Sequence, residues 1–300
     1  MQAVYGELPL DLASPPPGAV QLSPLMPGSA AIEALADGTL HGLVMHAPRG
    51  TLERRYALAH GLRALRVGAP LTVLAQKKQG GTRLHDELDA FGCVVEETSK
   101  QHFRICTARR PESPVGLGEA IGAGRPQLAP GLDLWSQPGV FSWDRIDPAS
   151  ALLIKHLPAL SGRGTDLGCG IGVLARAVMA EPDVRHVTMI DIDRRAIAAA
   201  CRNVEDTRAA FVWADIRKPG VVPANLDFVV MNPPFHDGGF EDQGLGRLFL
   251  QRAAVALRPG GLCLVTANRH LPYEAAMCPL FANVEQIVQD HLFKVYALRK

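Results

Sequence analysis

The stretch RGTDLGCGIGVLARAV, Arg163 to Val178, sets a short run ending in Asp166-Leu167 against three glycines at alternate positions, Gly168, Gly170 and Gly172, followed by an amphipathic run from Val173. Glycines in that pattern permit a tight turn and let a ligand approach the backbone where a helix begins. The order is therefore strand, turn, helix, and it repeats downstream. Strands are expected at Thr165–Leu167, Val187–Ile190, Phe211–Trp213, Phe228–Met231 and Cys263–Thr266, with helices from Val173, from Arg195 and over Leu248–Leu257. This alternation predicts an α/β fold with a parallel, doubly wound sheet.

The glycine spacing separates two classes of ligand. A dinucleotide fingerprint is G-x-G-x-x-G, whereas Asp166 to Gly172 reads acidic-x-G-x-G-x-G, closer to an S-adenosylmethionine loop. Asp166, Gly168, Cys169, Gly170 and Gly172 are thus candidate cofactor residues, with a simple turn as the plain alternative. The next strand ends in MIDID, where Asp191, with Ile192 beside it, stands where a carboxylate can accept two ribose hydroxyls. Asp193 reads as the N-cap of a helix starting at Arg194. A third strand runs out in WADIR, which puts Asp215, followed by Ile216, where an adenine amino group could be held.

The strand Phe228–Met231 leads into NPPFHDGG, Asn232 to Gly239. Behind an acidic glycine loop, DID and AD in that order, NPPF resembles the fourth motif of the class I S-adenosylmethionine-dependent methyltransferases that act on an amino group conjugated to a ring or carbonyl. The resemblance implies a seven-stranded Rossmann-like sheet with S-adenosyl-L-methionine as cofactor. It also implies a catalytic trio: Asn232 and the Pro233 carbonyl accept the two N–H bonds of the target, and Phe235 stacks on a flipped-out base. Asn232 would also border the cofactor. Pro234, Phe235, His236 and Arg269 would line the substrate side; a loop cap for His236 and plain solvation for Arg269 are equally open. PGVFSWDRIDPASALLIKHLP, TANRHLPYE and FKVYAL narrow the resemblance to the bacterial ribosomal RNA guanine-N2 methyltransferases, the 16S enzymes first and the 23S enzymes next. It is strong over Ser136–Lys300 and faint before. The implied partner is ribosomal RNA or the small ribosomal subunit, met in the cytoplasm by a monomer.

Internal similarity supports a second expectation. ALRVGAPLTVLAQK from Ala64 lies over ALRPGGLCLVTANR from Ala256, LVMHAPR (Leu43–Arg49) over VVMNPPF, and HFRIC (His102–Cys106) over LFKVY (Leu292–Tyr296). Three matches in one order predict a tandem duplication. Its first copy carries His46-Ala47-Pro48-Arg49 where the second has NPPF, with little room ahead of it for a first strand and glycine loop. Residues 1–115 are expected to form this degenerate, substrate-recognising or structural copy, 116–138 a Gly/Pro-rich linker, and 139–300 the catalytic domain.

Composition bounds the function. A 47% hydrophobic chain of 300 residues can build a sizeable core, and a formal charge of +1 gives no strong attraction for bulk nucleic acid, so RNA would be recognised locally. No run of apolar residues suits an export signal or membrane span. The six cysteines lie apart, without C-x-x-C, in segments expected to be buried and reduced. Arg109–Arg110 and Arg194–Arg195 read as solvated faces, and no Ser-His-Asp or metal-ligand set stands out. Other readings of NPPF are adenine-N6 or protein-glutamine methylation, against which the dead first copy and FKVYAL argue. A noncatalytic RNA-binding or assembly factor is disfavoured by the intact glycine loop and NPPF, and a nicotinamide dehydrogenase by the glycine spacing.

Overall fold

Phe228 to Met231 are all buried, as a strand covered on both faces must be. The computed structural model describes residues 1–300 apart from Phe235, Gly238, Gly239, Asp242, Leu271 and Pro272, and gives only the backbone of His236, Asp237, Phe240, Glu241 and Gln243. It divides into two units, Met1–Pro126 with Gln137–Gly139, and Gln127–Ser136 with Val140–Lys300.

The first unit contains β1 (Gln2–Tyr5), β2 (Val20–Gln21), β3 (Gly42–His46), α1 (Thr51–Ala64), β4 (Pro70–Gln76), α2 (Leu84–Asp89), β5 (Val95–Lys100), β6 (Phe103–Arg109) and α3 (Leu117–Gly124). The second opens with the hairpin of β7 (Gln127–Leu128) and β8 (Trp135–Ser136) and continues with α4 (Pro148–Lys155), β9 (Gly162–Leu167), α5 (Val173–Val178), β10 (Val184–Asp191), α6 (Arg194–Asn203) and β11 (Ala209–Trp213). Then follow β12 (Leu226–Met231), the small pair β13 (His236–Asp237) and β14 (Phe240–Glu241), α7 (Gln243–Ala256), β15 (Leu257–Asn268), α8 (Glu274–Met277), β16 (Asn283–Gln289) and β17 (Phe293–Arg299).

The second unit holds the seven-stranded sheet β11-β10-β9-β12-β15-β17-β16, parallel except for β17. Period-two alternation sends Phe228 and Val230 into one apolar layer with Leu174, Val178 and Ile197, and Val229 and Met231 into the other with Phe249, Leu250 and Ala253. Helices α5 and α6 thus cover one face and α7 the other. Gly164 on β9 explains how closely the central strands approach: a Cβ there would lie 2.1 Å from the Phe228 ring.

The first unit has the six-stranded order β2-β1-β3-β4-β6-β5. Strand for strand, and in the sense of every pairing, this is the second sheet without β11. A first strand is therefore present, contrary to the sequence expectation, because β1 needs only four residues. Gly6 follows it with φ +84°, as Gly168 with φ +72° follows β9. No helix comes next: β1 and β2 are joined by irregular chain, and His46 Nδ1 donates to the Glu7 carbonyl at 2.7 Å.

Three further expectations are corrected. The stretch 116–138 is no free linker: α3 belongs to the first unit and the β7–β8 hairpin to the second. One of its glycines serves packing, Gly124 lying so near Tyr56 that a Cβ would come within 2.4 Å. Cys201, on α6, and Cys278, just past the end of α8, are exposed, and the other four cysteines are buried. Arg195 is buried and ion-paired with Asp193 at 2.7 Å, and Arg110 donates to the Leu62 carbonyl at 3.0 Å, so neither is a freely solvated charge.

Arg54 is among the largest fully buried side chains of the described residues. It forms a two-point pair with Glu87, both contacts at 2.6 Å, and donates to the carbonyls of Pro48 and Arg49. Truncating one partner leaves a buried charge unpaired. Glu87→Ala is expected to lower the unfolding free energy by about 3–5 kcal/mol, measured by urea denaturation; an unchanged midpoint would contradict this account of the first core.

Candidate active site

Strand β9 delivers the glycine loop to the carboxyl edge of the sheet. Gly168, Gly170 and Gly172 have φ of +72°, +54° and +85°, a region costly for residues with a Cβ. The loop is tied to the neighbouring strand, since the amides of Gly168 and Cys169 donate to the Ile190 carbonyl at 2.9 and 3.1 Å. A Cβ on Gly170 would meet nothing within 4 Å, so the loop faces open space there.

Two carboxylates support this loop from beneath and beside. Asp166 is fully buried; its Oδ2 accepts the Ala175 amide at 3.1 Å, and its Oδ1 has no partner. Burial pushes its pKa up to about 8 against the pull of that amide. Asp191 accepts the Gly170 amide on Oδ2 and the Asp193 amide on Oδ1, both at 2.8 Å. Burial raises it to about 6, opposed by the same two amides. Asp193 caps α6, accepting the Arg195 amide at 2.9 Å. The Ile192 carbonyl accepts the Trp213 indole at 2.8 Å. Burial also keeps the Cys169 thiol well above its usual range.

Asn232 leaves β12 at the same edge, because Met231 is in register with Leu167 on one side and Val265 on the other. Its Nδ2 donates to Asp147 Oδ2 at 2.8 Å and to Ser150 Oγ at 3.0 Å, while its Oδ1 accepts the Thr266 hydroxyl at 2.6 Å. Asp147 is the N-cap of α4 with Pro148 at the first turn, and its Oδ2 also accepts the Ser150 amide at 3.0 Å. Pro233 is buried and Pro234 exposed. Phe235 and the His236 side chain lie outside the described residues.

A cleft runs between the loop and the segment entering α4. Gly168, Cys169, Gly170 and Asn232 line it on one side, Phe141, Arg145, Asp147 and Ser150 on the other. Asp191 reaches it through Gly170. Of the expected site residues that are described, Gly168, Cys169, Gly170 and Asn232 line it, whereas Asp166, Gly172, Asp191, Ile192, Asp215, Ile216, Pro233, Pro234 and Arg269 do not. Asp215 has both oxygens engaged by Arg217, Ile216 is buried in the core, and Arg269 is exposed in the turn after β15. Asp147, Ser150 and Thr266 were not among the expected site residues. Asp-Pro-x-Ser signals a helix start, but nothing in the sequence marks Thr266, which matters only through the register of β15. No cluster of His, Cys, Asp or Glu among the described residues is placed to hold a metal ion.

The Methyltransferase small domain family matches residues 131–297. The ribosomal RNA small subunit methyltransferase C of Shewanella loihica is 30% identical over 272 residues, covering 87% of this chain and 78% of that one. That of Pseudomonas aeruginosa is 31% identical over 287 residues, covering 93% and 86%. Among solved structures, the Thermus thermophilus 16S rRNA N2 G1207 methyltransferase in complex with AdoMet and guanosine aligns with a TM-score of 0.79 at 24% identity, over 100% of this chain and 88% of that chain. The last likeness shows that this chain shares the fold of that class I methyltransferase along its whole length. With relatives at this identity over most of its length, the chain belongs to the ribosomal RNA small subunit methyltransferase C family.

Proposed function

We propose that the protein transfers a methyl group from S-adenosylmethionine to the exocyclic N2 of a guanine in 16S ribosomal RNA. The observation that carries this reading is the Asn232 carboxamide, held at the strand exit beside the glycine loop on one cleft. Its kinship to ribosomal RNA small subunit methyltransferases supports ribosomal RNA as substrate, and the AdoMet and guanosine in complex with the Thermus enzyme support the cofactor and base.

The residues at these strand ends fit the cofactor. Gly170 leaves the loop backbone open to a ligand, and Asp166 keeps one buried oxygen free. Each Asp191 oxygen spends one lone pair on a backbone amide and retains another for a ribose hydroxyl. Asp215 can take an adenine amino group only by sharing an oxygen already bound to Arg217. When bound, S-adenosylmethionine supplies an electrophilic methyl group. The chain's part is to prepare the nucleophile, whose lone pair is delocalised into the guanine ring. Asn232 Oδ1 and the Pro233 carbonyl accept its two N–H bonds and turn the lone pair out of conjugation, a catalysis of orientation and electrostatics. Pro233 and Pro234 restrict the backbone that carries these acceptors. Phe235 stacks on the base, with His236 beside it, and Arg269 meets a phosphate.

In this reading the first unit does no chemistry, its counterpart of Asn232 being the His46 that bonds to Glu7. The shared strand order supports its origin as a duplicated copy kept for recognition and stability. The enzyme works as a monomer in the cytoplasm, where its RNA is; no helix among the described residues is long and apolar enough to cross a membrane.

Asn232→Ala is expected to lower single-turnover methylation of 16S RNA by about two orders of magnitude or more, the scale of a lost preorganised hydrogen-bonding group, with S-adenosylhomocysteine affinity little changed. Near-normal turnover would remove the amide from the mechanism. Asp191→Ala is expected to weaken S-adenosylhomocysteine by about 1–3 kcal/mol. Its raised pKa gives a sign: the charged form is the better acceptor, so affinity should strengthen as pH rises through about 6. In calorimetric titration Asp191→Asn should flatten that dependence; an equal pH profile in this variant would assign it to another group.

A further inference from the structure

A carboxamide has nearly the same shape when its oxygen and nitrogen exchange places, so only its hydrogen-bond partners fix which end is which. Around Asn232 all three partners agree. The Thr266 hydroxyl has a proton to give to Oδ1, while the Asp147 carboxylate can only accept and therefore requires the NH2 end. Ser150 Oγ takes the second amide proton. Flipping the group would set its oxygen against the Asp147 carboxylate, lone pair against charge.

The partners are themselves fixed. Thr266 is fully buried on β15, opposite Val295 of β17. Ser150 is buried in the first turn of α4, and Asp147 is held by capping that turn. We infer that Thr266, Asp147 and Ser150 are positioning residues that lock the Asn232 carboxamide in one orientation and leave the strand exit able only to accept hydrogen bonds. Both Nδ2 protons are spent, Oδ1 keeps one lone pair, and Pro233 has no N–H. A group entering there must bring protons. An exocyclic amino group does so; the O6 carbonyl of the same base meets only lone pairs and is turned away. This inference rests on the proposed amino-group methylation and adds the device that makes it selective.

The test uses the full-length protein with 16S RNA, reading the single-turnover rate at saturating S-adenosylmethionine, the KM for RNA, the affinity for S-adenosylhomocysteine and the Tm. Thr266→Val keeps the shape and removes the hydroxyl; Ser150→Ala keeps the backbone amide that Asp147 caps. Each is expected to slow turnover about tenfold, the scale of one hydrogen bond acting on the reacting group, and the pair about a hundredfold. KM and S-adenosylhomocysteine affinity should stay within about twofold. Asp147→Ala loses the helix cap as well as the hold; Asp147→Asn, whose amide oxygen can replace Oδ2, should recover most of the lost rate at wild-type Tm. Wild-type rates in both Thr266→Val and Ser150→Ala would overturn the inference, and so would rate losses that follow weakened S-adenosylhomocysteine binding or a lowered Tm. If Asn232→Ala is inactive while those two are normal, only the locking role fails; if Asn232→Ala is active, the proposed function fails with it.

Discussion

The parallel pairing of β9 with β12, which sets Leu167 opposite Met231, decides where everything in the site must lie. Two adjacent parallel strands end at one edge, so whatever follows them must meet. In doubly wound sheets, ligands bind where crossovers from neighbouring strands leave toward opposite faces. Here α5 follows β9 on one face, and α7 follows β12 on the other. Gly164 under the Phe228 ring is the local condition of that pairing, because any larger residue would push the two strands apart.

The same pairing in the first unit, Tyr5 opposite Met45, has a different outcome. Gly6 has the left-handed backbone of Gly168, but the chain beyond it forms no helix, and Glu7 is bonded to His46. The sheet pairing is the same, but no glycine loop leads from it into a helix. What occupies the space near the HAPR segment is Arg54, whose guanidinium binds the carbonyls of Pro48 and Arg49 and is neutralised by Glu87. Such a pair adds little net stability over an apolar core, yet becomes expensive once half of it is removed.

Much of the second unit was legible because its signals are local. The apolar runs, the alternating glycines and the cap at Asp193 each depend on a few neighbouring residues, and all appear where the sequence places them. Gly168, Gly170 and Asn232 do share one cleft. What escaped is non-local. Thr266 becomes part of the site through strand register, and Arg54 and Glu87 meet across 33 positions; the exception is local, Arg217 taking up the carboxylate of Asp215 two residues before it through its choice of rotamer. The stretch 116–138 misled for another reason, since glycine serves close helix packing as well as flexibility. At Gly124 against Tyr56 packing prevails.

In the proposed reaction the exit of β12 presents two acceptors to an amino group bearing two protons. A crystal structure of the protein with S-adenosylhomocysteine and guanosine tests it most directly. The guanine N2 is expected within about 3 Å of both Asn232 Oδ1 and the Pro233 carbonyl, with the carboxamide still bonded to Thr266, Asp147 and Ser150. A guanine bound away from this strand exit, or one turning its O6 toward Asn232, would contradict it.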